Sequence, residues 1–239
     1  MRHYGIIGMP LEHSYSARYF TEKFAREKVE ADYCLYPISD IVEVEALFLR
    51  LDGFNVTFPY KQAIFSYLTR VDEVARAIGA VNVVHGRTGY NTDWVGFVRS
   101  LRPLLLPADT QALILGTGGV SKAVEYGLKH LDIASMSVSR TRREGVLTYE
   151  DLTPEVMQEH PLIVNCTPLG MFPDVASCPP IPYKYVDNRH LLFDCVYNPE
   201  QTEFLRRGAM QGARTQNGLQ MLYYQADAAW QIWNQTNKL

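Results

Sequence analysis

The stretch "ALILGTGGVSKA", residues 112–123, joins an apolar run, a glycine-rich turn and the start of a helical pattern. Gly116, Gly118 and Gly119 allow a tight turn and a close approach of the backbone to a ligand. The N-terminus of the following helix presents unpaired N–H groups, which bind phosphate. Ser121 replaces the third glycine of the G-x-G-x-x-G pattern, so a turn that binds nothing is the alternative. Because a predicted strand precedes the turn and a predicted helix follows it, we interpret the stretch as a dinucleotide-binding turn.

The basic residues after the next predicted strand indicate which dinucleotide would bind. That strand, "SMSVS", is followed by "RTRR", residues 140–143. Sites for NAD usually carry Asp or Glu here, which bind the ribose 2′-hydroxyl, whereas sites for NADP carry Arg. Arg140 occupies this position with Arg142 and Arg143 nearby, and guanidinium groups bind phosphate in bidentate fashion. The pattern favours NADP(H); the alternative is a solvent-exposed basic turn.

A dinucleotide unit beside a separate α/β unit predicts a hydride-transfer enzyme, and two motifs offer polar groups for its substrate. "NVTFPYK" contributes Thr57 and Lys61, with Pro59 directing the chain into a turn at the end of a short apolar strand. "GAVNVV" contributes Asn82, an amide within an apolar run that must find hydrogen-bond partners if buried. The alternatives are a solvent-exposed lysine and an asparagine with a purely structural role.

Two further motifs carry side chains suited to binding hydroxyl or carboxylate groups. "EHSYSA" places Ser14 and Ser16 two residues apart, so an extended backbone would direct both hydroxyls to one side. "GYNTDW" contributes Asn91, Thr92 and Asp93. The alternative for Ser16, and also for Asp93, is a helix N-cap.

Apolar periodicity predicts an α/β protein with two units. Short strands, among them "YGIIG", "YCLYPI", "GFNVTF" and the pair in "AVNVVHGRTGYNTD", are separated by helical patterns, which predicts a parallel or mixed sheet. The proline-containing stretch "LRPLLLPADTQ" is the candidate boundary. Beyond it, "ALILG", "SMSVS", "LIVNCT" and "LLFDCVY" are strands, and "NGLQMLYYQADAAWQIW" is a strong amphipathic helix. We expect a substrate-binding domain over 1–98, completed by a helix over 216–239, and a nucleotide-binding domain over 99–215.

Composition excludes several classes of protein. The chain has 239 residues, 47% of them hydrophobic, and a net charge of −3, so it has no electrostatic signature for nucleic acid. No apolar run approaches the ~20 residues of a membrane span, and the N-terminus is unlike a signal peptide. The four cysteines form no C-x-x-C pair and the six histidines have no ligand spacing, so we expect no metal. These features predict a reduced, cytoplasmic protein.

The motifs together resemble those of the shikimate dehydrogenase family, in the same order and along the whole chain. Ser14 and Ser16 match its S-x-S, "NVTFPYK" its N-V-T-x-P-x-K, residues 79–82 its G-A-V-N and residues 91–93 its N-T-D. The glycine turn, the arginine after the second strand, "NCTPLGM", "DCVYNP" and "NGLQMLYYQ" continue the resemblance. The resemblance implies a two-domain fold: a mixed, mainly parallel α/β substrate domain and a Rossmann-type NADP-binding domain, with the active site in the cleft between them.

The activity that the resemblance implies is the reversible reduction of 3-dehydroshikimate to shikimate with NADPH, on the route to chorismate and aromatic amino acids. Lys61 and Asp93 would be the catalytic pair: an ammonium stabilises the charge on the carbonyl oxygen and can deliver the proton. Both serines would hold the substrate carboxylate. Other implied substrate contacts are Thr57, Asn82, Thr92, Tyr197 and Gln225. The implied cofactor contacts are Gly116, Thr117, Gly118, Gly119, Val120, Ser139, Arg140, Thr141, Arg143, Thr167 and Gly218.

Three departures and two alternatives accompany this interpretation. The chain is short for the family, Ser139 stands where members often have Asn, and Trp94 replaces the glycine after N-T-D. Gln225 could also be a solvent-facing helix residue. One alternative is a quinate/shikimate dehydrogenase with broader substrate or NAD use, which Arg140 argues against. The other is a non-catalytic NADP-binding sensor, which predicts loss of the Lys61–Asp93 pair. The sequence leaves open whether the protein is a monomer or a homodimer.

Overall fold

The chain forms two compact units, each with a six-stranded sheet. The structure, a computed structural model, describes residues 1–11 and 14–234. Unit 1 comprises Met1–Asp93 together with the chain from Gln225 onward, and unit 2 comprises Trp94–Tyr224. The expected fold class, α/β with two mostly parallel sheets, is confirmed. The functional domain limits 1–98 with 216–239, and 99–215, stay a prediction.

Unit 1 is built on a mixed sheet. Its elements are β1 (Arg2–Gly8), α1 (Ser16–Glu27), β2 (Ala31–Pro37), α2 (Val44–Leu47), β3 (Gly53–Val56), β4 (Arg70–Val71), α3 (Glu73–Ile78), β5 (Val83–His85) and β6 (Thr88–Tyr90). The strand order is β2-β1-β3-β5-β6-β4, and only β5 runs antiparallel to its neighbours in this described sheet. The C-terminal ends of β1, β3 and β6 therefore lie at the same edge as the N-terminal end of β5. All four polar motifs of the first unit follow or precede these strand ends.

Unit 2 has a fully parallel sheet. Its elements are β7 (Gln111–Leu115), α5 (Gly119–His130), β8 (Ala134–Ser139), β9 (Leu147–Thr148), α6 (Pro154–Glu159), β10 (Leu162–Asn165), β11 (Leu191–Asp194), α7 (Glu203–Met210) and β12 (Arg214–Gln216). Two helices cross the boundary between the units: α4 (Asp93–Leu101) and α8 (Leu219–Asn234). In the strand order β12-β11-β10-β7-β8-β9, the chain first adds β8 and β9 on one side of β7 and then β10, β11 and β12 on the other side. The switch point therefore lies between β7 and β10. In open parallel sheets ligands bind at the carboxyl ends of the strands at this switch point.

The last helix contributes to both units. Its first turns, through Tyr224, belong to unit 2, and its later turns pack against α1 and β1 of unit 1. Trp233 stacks on Tyr4 at 4.8 Å between ring centroids and also contacts Phe20. Of the expected helix over 216–239, residues 219–234 form α8, whereas Gln216 ends β12, so the expected start is wrong; residues 235–239 lie outside the described part of the chain. No helix within 1–11 and 14–234 has the length and apolarity to cross a membrane.

Candidate active site

A lysine–aspartate ion pair lies at the polar edge of the unit 1 sheet. Lys61 Nζ is 2.6 Å from Asp93 Oδ2, and the two side chains are only 14% and 10% exposed. The Lys61 backbone is fixed because its carbonyl oxygen accepts a hydrogen bond from the Val81 N–H at 2.8 Å. That bond places the turn after β3 beside the start of β5. The alternative of a solvent-exposed lysine is therefore wrong.

Asn82 joins the aspartate to its neighbours. Its Nδ2 donates to Asp93 Oδ1 at 2.8 Å and lies 3.0 Å from Thr92 Oγ1, while its Oδ1 accepts from the Thr92 N–H at 2.7 Å. Both Asp93 oxygens thus receive a hydrogen bond, one from an ammonium and one from an amide. Two such hydrogen bonds, one to each oxygen, fix the orientation of the carboxylate.

The start of α4 is capped by Asn91 rather than by Asp93. Asn91 Oδ1 accepts from the Asp93 N–H at 3.0 Å, and its Nδ2 donates to the Ala80 carbonyl at 2.9 Å. The helix-cap alternative for Asp93 is wrong, because its carboxylate bonds Lys61 and Asn82 instead. Asn91 takes the capping role and leaves that carboxylate available for the ion pair.

Gln225 reaches the same cluster from α8. It is 9% exposed, and its Oε1 lies 3.3 Å from Asn82 Nδ2 and 3.5 Å from Thr92 Oγ1. The solvent-facing alternative is wrong. Two residues further along the helix, Asp227 accepts hydrogen bonds from Lys23 Nζ at 2.7 Å and from the Tyr19 hydroxyl at 2.6 Å. These bonds to α1 fix the rotation of α8 that directs Gln225 into the cluster.

The serine pair lies at the start of α1. Ser14 Oγ accepts from the Ser16 N–H at 3.4 Å, and Ser16 is the first helical residue, after Tyr15 at the N-cap position. The N-cap alternative for Ser16 is therefore wrong. Ser16 is buried, and so is Tyr33 of β2, whose pKa burial raises well above its ordinary value.

Tyr33 and Asn55 extend the polar cluster from Asn82 to β2, and neither was among the predicted site residues. The Tyr33 hydroxyl donates to Asn55 Oδ1 at 2.7 Å, and Asn55 Nδ2 donates to the Asn82 carbonyl at 3.1 Å. Asn55 is the first residue of the "NVTFPYK" motif and is 5% exposed. An amide within an apolar strand must find hydrogen-bond partners, and this feature of the sequence could have identified it. Thr57, two residues further on, is half-buried, with its N–H bonded to the Ile7 carbonyl.

The glycine turn of unit 2 follows β7, as predicted, and its glycines have different roles. Gly116 has φ +103°, a left-handed conformation that favours glycine, and a Cβ there would lie 3.1 Å from Thr167 Cγ2. Gly118 is the N-cap of α5 with an extended backbone, and a Cβ there would meet no atom within 4 Å. The space in front of Gly118 is thus open, next to Thr117, Gly119 and Val120. An open cradle at the N-terminus of a twelve-residue helix fits a pyrophosphate.

The basic segment begins where β8, the neighbour of β7, ends. Ser139 Oγ accepts from the Thr141 N–H at 3.2 Å, which folds the chain back and leaves Arg140 and Arg143 exposed. Arg142 is instead bonded to Asp151 at 3.0 Å. Arg140 lines a depression of about 350 Å³, together with Arg142, Thr148, Tyr149 and Glu150. The exposed guanidinium at the end of the second strand fits a ribose 2′-phosphate.

A buried polar network supports the remaining predicted residues of unit 2. Asn165 Oδ1 accepts from the Thr167 hydroxyl at 2.7 Å, and Asn165 Nδ2 donates to Asp194 Oδ1 at 2.9 Å. Thr202 donates to the other Asp194 oxygen at 2.6 Å. Burial raises the pKa of Asp194 to about 6. Gly218 donates its N–H to the Val196 carbonyl at 3.0 Å.

The network residues Asn165, Asp194 and Thr202 were not predicted. Asn165 and Asp194 could have been recognised as polar residues at the ends of two apolar strands, "LIVN" and "LLFD", and Thr202 as the N-cap of α7. Tyr197, a predicted substrate contact, is half-buried in unit 2 shortly after β11. Lys61, Asn82, Thr92, Asp93 and Gln225 are therefore the predicted site residues that the structure brings into one cluster.

A doubly wound parallel sheet with a glycine turn, and a second sheet with a lysine–aspartate cluster, define a two-sheet α/β protein of the dinucleotide-binding class. The family model of the shikimate dehydrogenase substrate binding domain matches residues 6–84. A shikimate dehydrogenase (NADP(+)) of Desulforamulus reducens is 34% identical over 257 residues, covering 96% of this chain and 88% of that protein. The chain belongs to the shikimate dehydrogenase family.

Solved structures agree in fold over nearly the whole chain. The shikimate 5-dehydrogenase of Thermus thermophilus, in complex with NADP(H) and shikimate, superposes with a TM-score of 0.87 at 29% identity, covering 99% of this chain and 94% of that one. The shikimate 5-dehydrogenase of Listeria monocytogenes, in complex with shikimate and NAD, has a TM-score of 0.85 at 25% identity, covering 99% and 93%.

Proposed function

We propose that this protein catalyses the reversible NADPH-dependent reduction of 3-dehydroshikimate to shikimate, a step toward chorismate and the aromatic amino acids. The observation that carries the proposal is the ion pair between Lys61 and Asp93, 2.6 Å apart within a buried polar cluster. The relatives named shikimate dehydrogenase (NADP(+)) and the neighbour solved with NADP(H) and shikimate support the same activity.

Lys61 is the proton donor of the proposed reaction. When the ketone is reduced, negative charge develops on its oxygen, and an ammonium held against that oxygen stabilises the charge and transfers a proton from Nζ. Asp93 orients the lysine through the 2.6 Å ion pair. Asn82 fixes the orientation of Asp93 in turn. Proton exchange with solvent through Asp93 would restore the ammonium after each turnover.

The polar side chains around the pair select the substrate. Ser14 and Ser16 hold its carboxylate through their hydroxyl groups. Its ring hydroxyls are bound by side chains that offer both donors and acceptors, namely Thr57, Asn82, Thr92 and Gln225. Tyr197 completes the proposed substrate contacts. Because Asn82 already bonds Thr92, Asp93 and Gln225, the substrate meets groups that are oriented before it arrives.

The glycine turn and the basic segment hold the cofactor. Backbone N–H groups of residues 116–120 bind the pyrophosphate, and Arg140, with Ser139, Thr141 and Arg143, binds the adenosine end and its 2′-phosphate. Thr167 and Gly218 would complete the contacts to the cofactor. When bound, NADPH supplies the hydride that the protein's own residues cannot provide.

A broader quinate/shikimate dehydrogenase that also uses NAD is the second candidate. The neighbour solved with shikimate and NAD is the observation that favours it. Against it stands Arg140, an exposed cation where an NAD site carries a carboxylate. A non-catalytic sensor is disfavoured because it would not need the buried Lys61–Asp93 pair. We place the protein in the cytoplasm, as a monomer or a homodimer.

A direct assay separates these functions. Purified protein receives shikimate or quinate, each with NADP or NAD, and formation of reduced nicotinamide is followed by its near-ultraviolet absorbance. Rapid reduction with shikimate and NADP alone is expected. Comparable rates with quinate or NAD would establish the broader enzyme. No reduction in any combination, with NADP still bound, would establish the sensor.

A further inference from the structure

Two cysteines face each other at the cofactor side of unit 2. Cys166 Sγ and Cys195 Sγ are 3.8 Å apart. Cys166 directly follows β10 and Cys195 directly follows β11, two neighbouring parallel strands in which Asn165 pairs with Asp194. The Cys195 N–H donates to the Asn165 carbonyl at 2.9 Å, which holds the two chain segments together beyond the strand ends. The other cysteines are not part of this pair: Cys34 is exposed on β2, and Cys178 lies in a loop.

The geometry is compatible with a disulfide after a small movement. A disulfide bond is about 2.05 Å long, so the sulfur atoms must approach by roughly 1.8 Å, through movement of the two short segments that carry them together with rotation of the side chains. Both residues are only partly buried, so a small oxidant has access. A preformed pair of this kind captures an oxidised sulfur faster than solution thiols can reach it.

We infer that Cys166 and Cys195 are an oxidation site that a hydroperoxide converts to an intramolecular disulfide. One thiolate attacks the peroxide oxygen, which yields a sulfenic acid and releases an alcohol, or water from hydrogen peroxide. The second thiol then attacks the sulfenic sulfur, forms the S–S bond and expels water. Two thiols lose two electrons and two protons in total, and one peroxide is reduced.

The disulfide would act on the residues assigned to cofactor binding. Cys166 is adjacent to Thr167, whose hydroxyl is bonded to Asn165. The Cys195 carbonyl packs so closely against Gly218 that a Cβ at this glycine would collide with it. Drawing the sulfurs together moves both segments, so oxidation lowers the affinity for NADPH. This consequence rests on the proposed function, whereas the cross-link itself does not.

Peptide mapping tests the cross-link. The reduced protein is treated with hydrogen peroxide, remaining thiols are alkylated, and a non-reducing digest is examined by mass spectrometry. A linked pair of peptides containing Cys166 and Cys195, lost on treatment with dithiothreitol, is expected in the wild type and in the matched control Cys34→Ser. It should be absent in Cys166→Ser and in Cys195→Ser. Alkylated Cys166 and Cys195 beside oxidised Cys34 or Cys178 would overturn the inference, as would sulfinic acid without a cross-link.

An NADPH titration tests the consequence. The dissociation constant of the oxidised protein should be about tenfold higher than that of the reduced protein, and dithiothreitol should restore it. Cys166→Ser and Cys195→Ser should not respond to peroxide. An unchanged constant in fully cross-linked protein would overturn the effect on the cofactor. Failure of the reduced protein to bind NADPH would refute the proposed cofactor, while the cross-link result would stand independently.

Discussion

The lysine–aspartate cluster of unit 1 and the glycine turn of unit 2 are organised in opposite ways. In the cluster, polar side chains bond one another: Asp93 accepts from both Lys61 and Asn82. At the turn, the space before Gly118 is open and Arg140 is exposed. The side chains of the cluster are thus oriented before any ligand binds, whereas the glycine turn offers hydrogen-bond donors to a ligand that is itself negatively charged.

The difference corresponds to when charge appears in the proposed reaction. Phosphate groups are charged throughout, so backbone N–H groups and exposed guanidinium groups are sufficient to attract them. The charge on a carbonyl oxygen exists only during the chemical step, and it is stabilised best by groups that need no reorganisation at that moment. Substitutions in the cluster should therefore lower kcat, and substitutions at the turn should lower cofactor affinity.

The largest effect is expected for Lys61→Met. Loss of the ammonium removes the proton donor, so kcat should fall by about a thousandfold or more, while the dissociation constant for NADPH changes little. Steady-state kinetics and an NADPH titration measure the two quantities. Lys129→Met, at an exposed position on α5, is the matched control and should keep normal turnover. Near-normal turnover of Lys61→Met would refute its catalytic role.

Gly118→Ala should have the converse effect. The backbone at Gly118 has φ −85° and ψ −171°, which alanine adopts readily, so the free energy of unfolding should change by less than about 1 kcal/mol. The new methyl group would occupy the space assigned to the pyrophosphate. The dissociation constant for NADPH should rise about a hundredfold, equivalent to ~3 kcal/mol. Unchanged NADPH binding in a stable variant would mean that the turn is not the phosphate site.

Arg140→Ala tests whether the basic segment distinguishes NADPH from NADH. A charged hydrogen bond to phosphate contributes about 1.5–3 kcal/mol, so KM for NADPH should rise roughly ten- to a hundredfold. KM for NADH should stay the same, because NADH has no 2′-phosphate. The control Arg206→Ala removes another exposed guanidinium, that of α7. Equal losses with NADPH and NADH would show that Arg140 does not read the 2′-phosphate.

The smallest effect concerns Asp194, the one carboxyl of the unit 2 network described above. Burial raises its pKa to about 6 from an ordinary value of 3.8, so between these values the folded protein keeps a proton that the unfolded chain releases. Stability from this group therefore increases as the pH falls through 6. Relative to Asp194→Asn, the wild type should gain about 1 kcal/mol of unfolding free energy between about pH 7 and about pH 5.

Urea denaturation of both proteins at the two pH values measures this difference. Glu203 and Asp151, whose pKa values are lowered to about 2, lose their contributions only at lower pH and do not affect the window. Parallel stability curves for wild type and Asp194→Asn would contradict the assignment of a raised pKa to Asp194.

Strand ends were predictable from the sequence because they depend on local pattern. The predicted strands "YGIIG", "GFNVTF" and "ALILG" overlap β1, β3 and β7, and the polar residues that follow them occupy the sheet edges where they were expected. The short helices α3, α6 and α7 were not predicted, since six to eight residues give little periodicity. Their N-caps Asp72, Thr153 and Thr202 were nevertheless readable signals.

Bonds between distant segments could not be derived from local pattern. The link from Tyr33 to Asn55 depends on β2 and β3 lying on either side of β1, which is a property of strand order. The approach of Gln225 to Asn82 spans 143 positions and depends on the rotation of α8. Family resemblance supplied Gln225 as a candidate, but helical periodicity alone left its side chain facing solvent.

The discontinuity of unit 1 also imposes an order on biosynthesis. Its aromatic core combines Tyr4, Phe20 and Phe24 from the beginning of the chain with Trp230 and Trp233 from the end. A ribosome makes the whole of unit 2 before those tryptophans exist, so unit 2 can fold while unit 1 still lacks part of its core. The nascent chain must therefore carry an unfinished apolar surface through most of translation, a period in which chaperones would be expected to bind it.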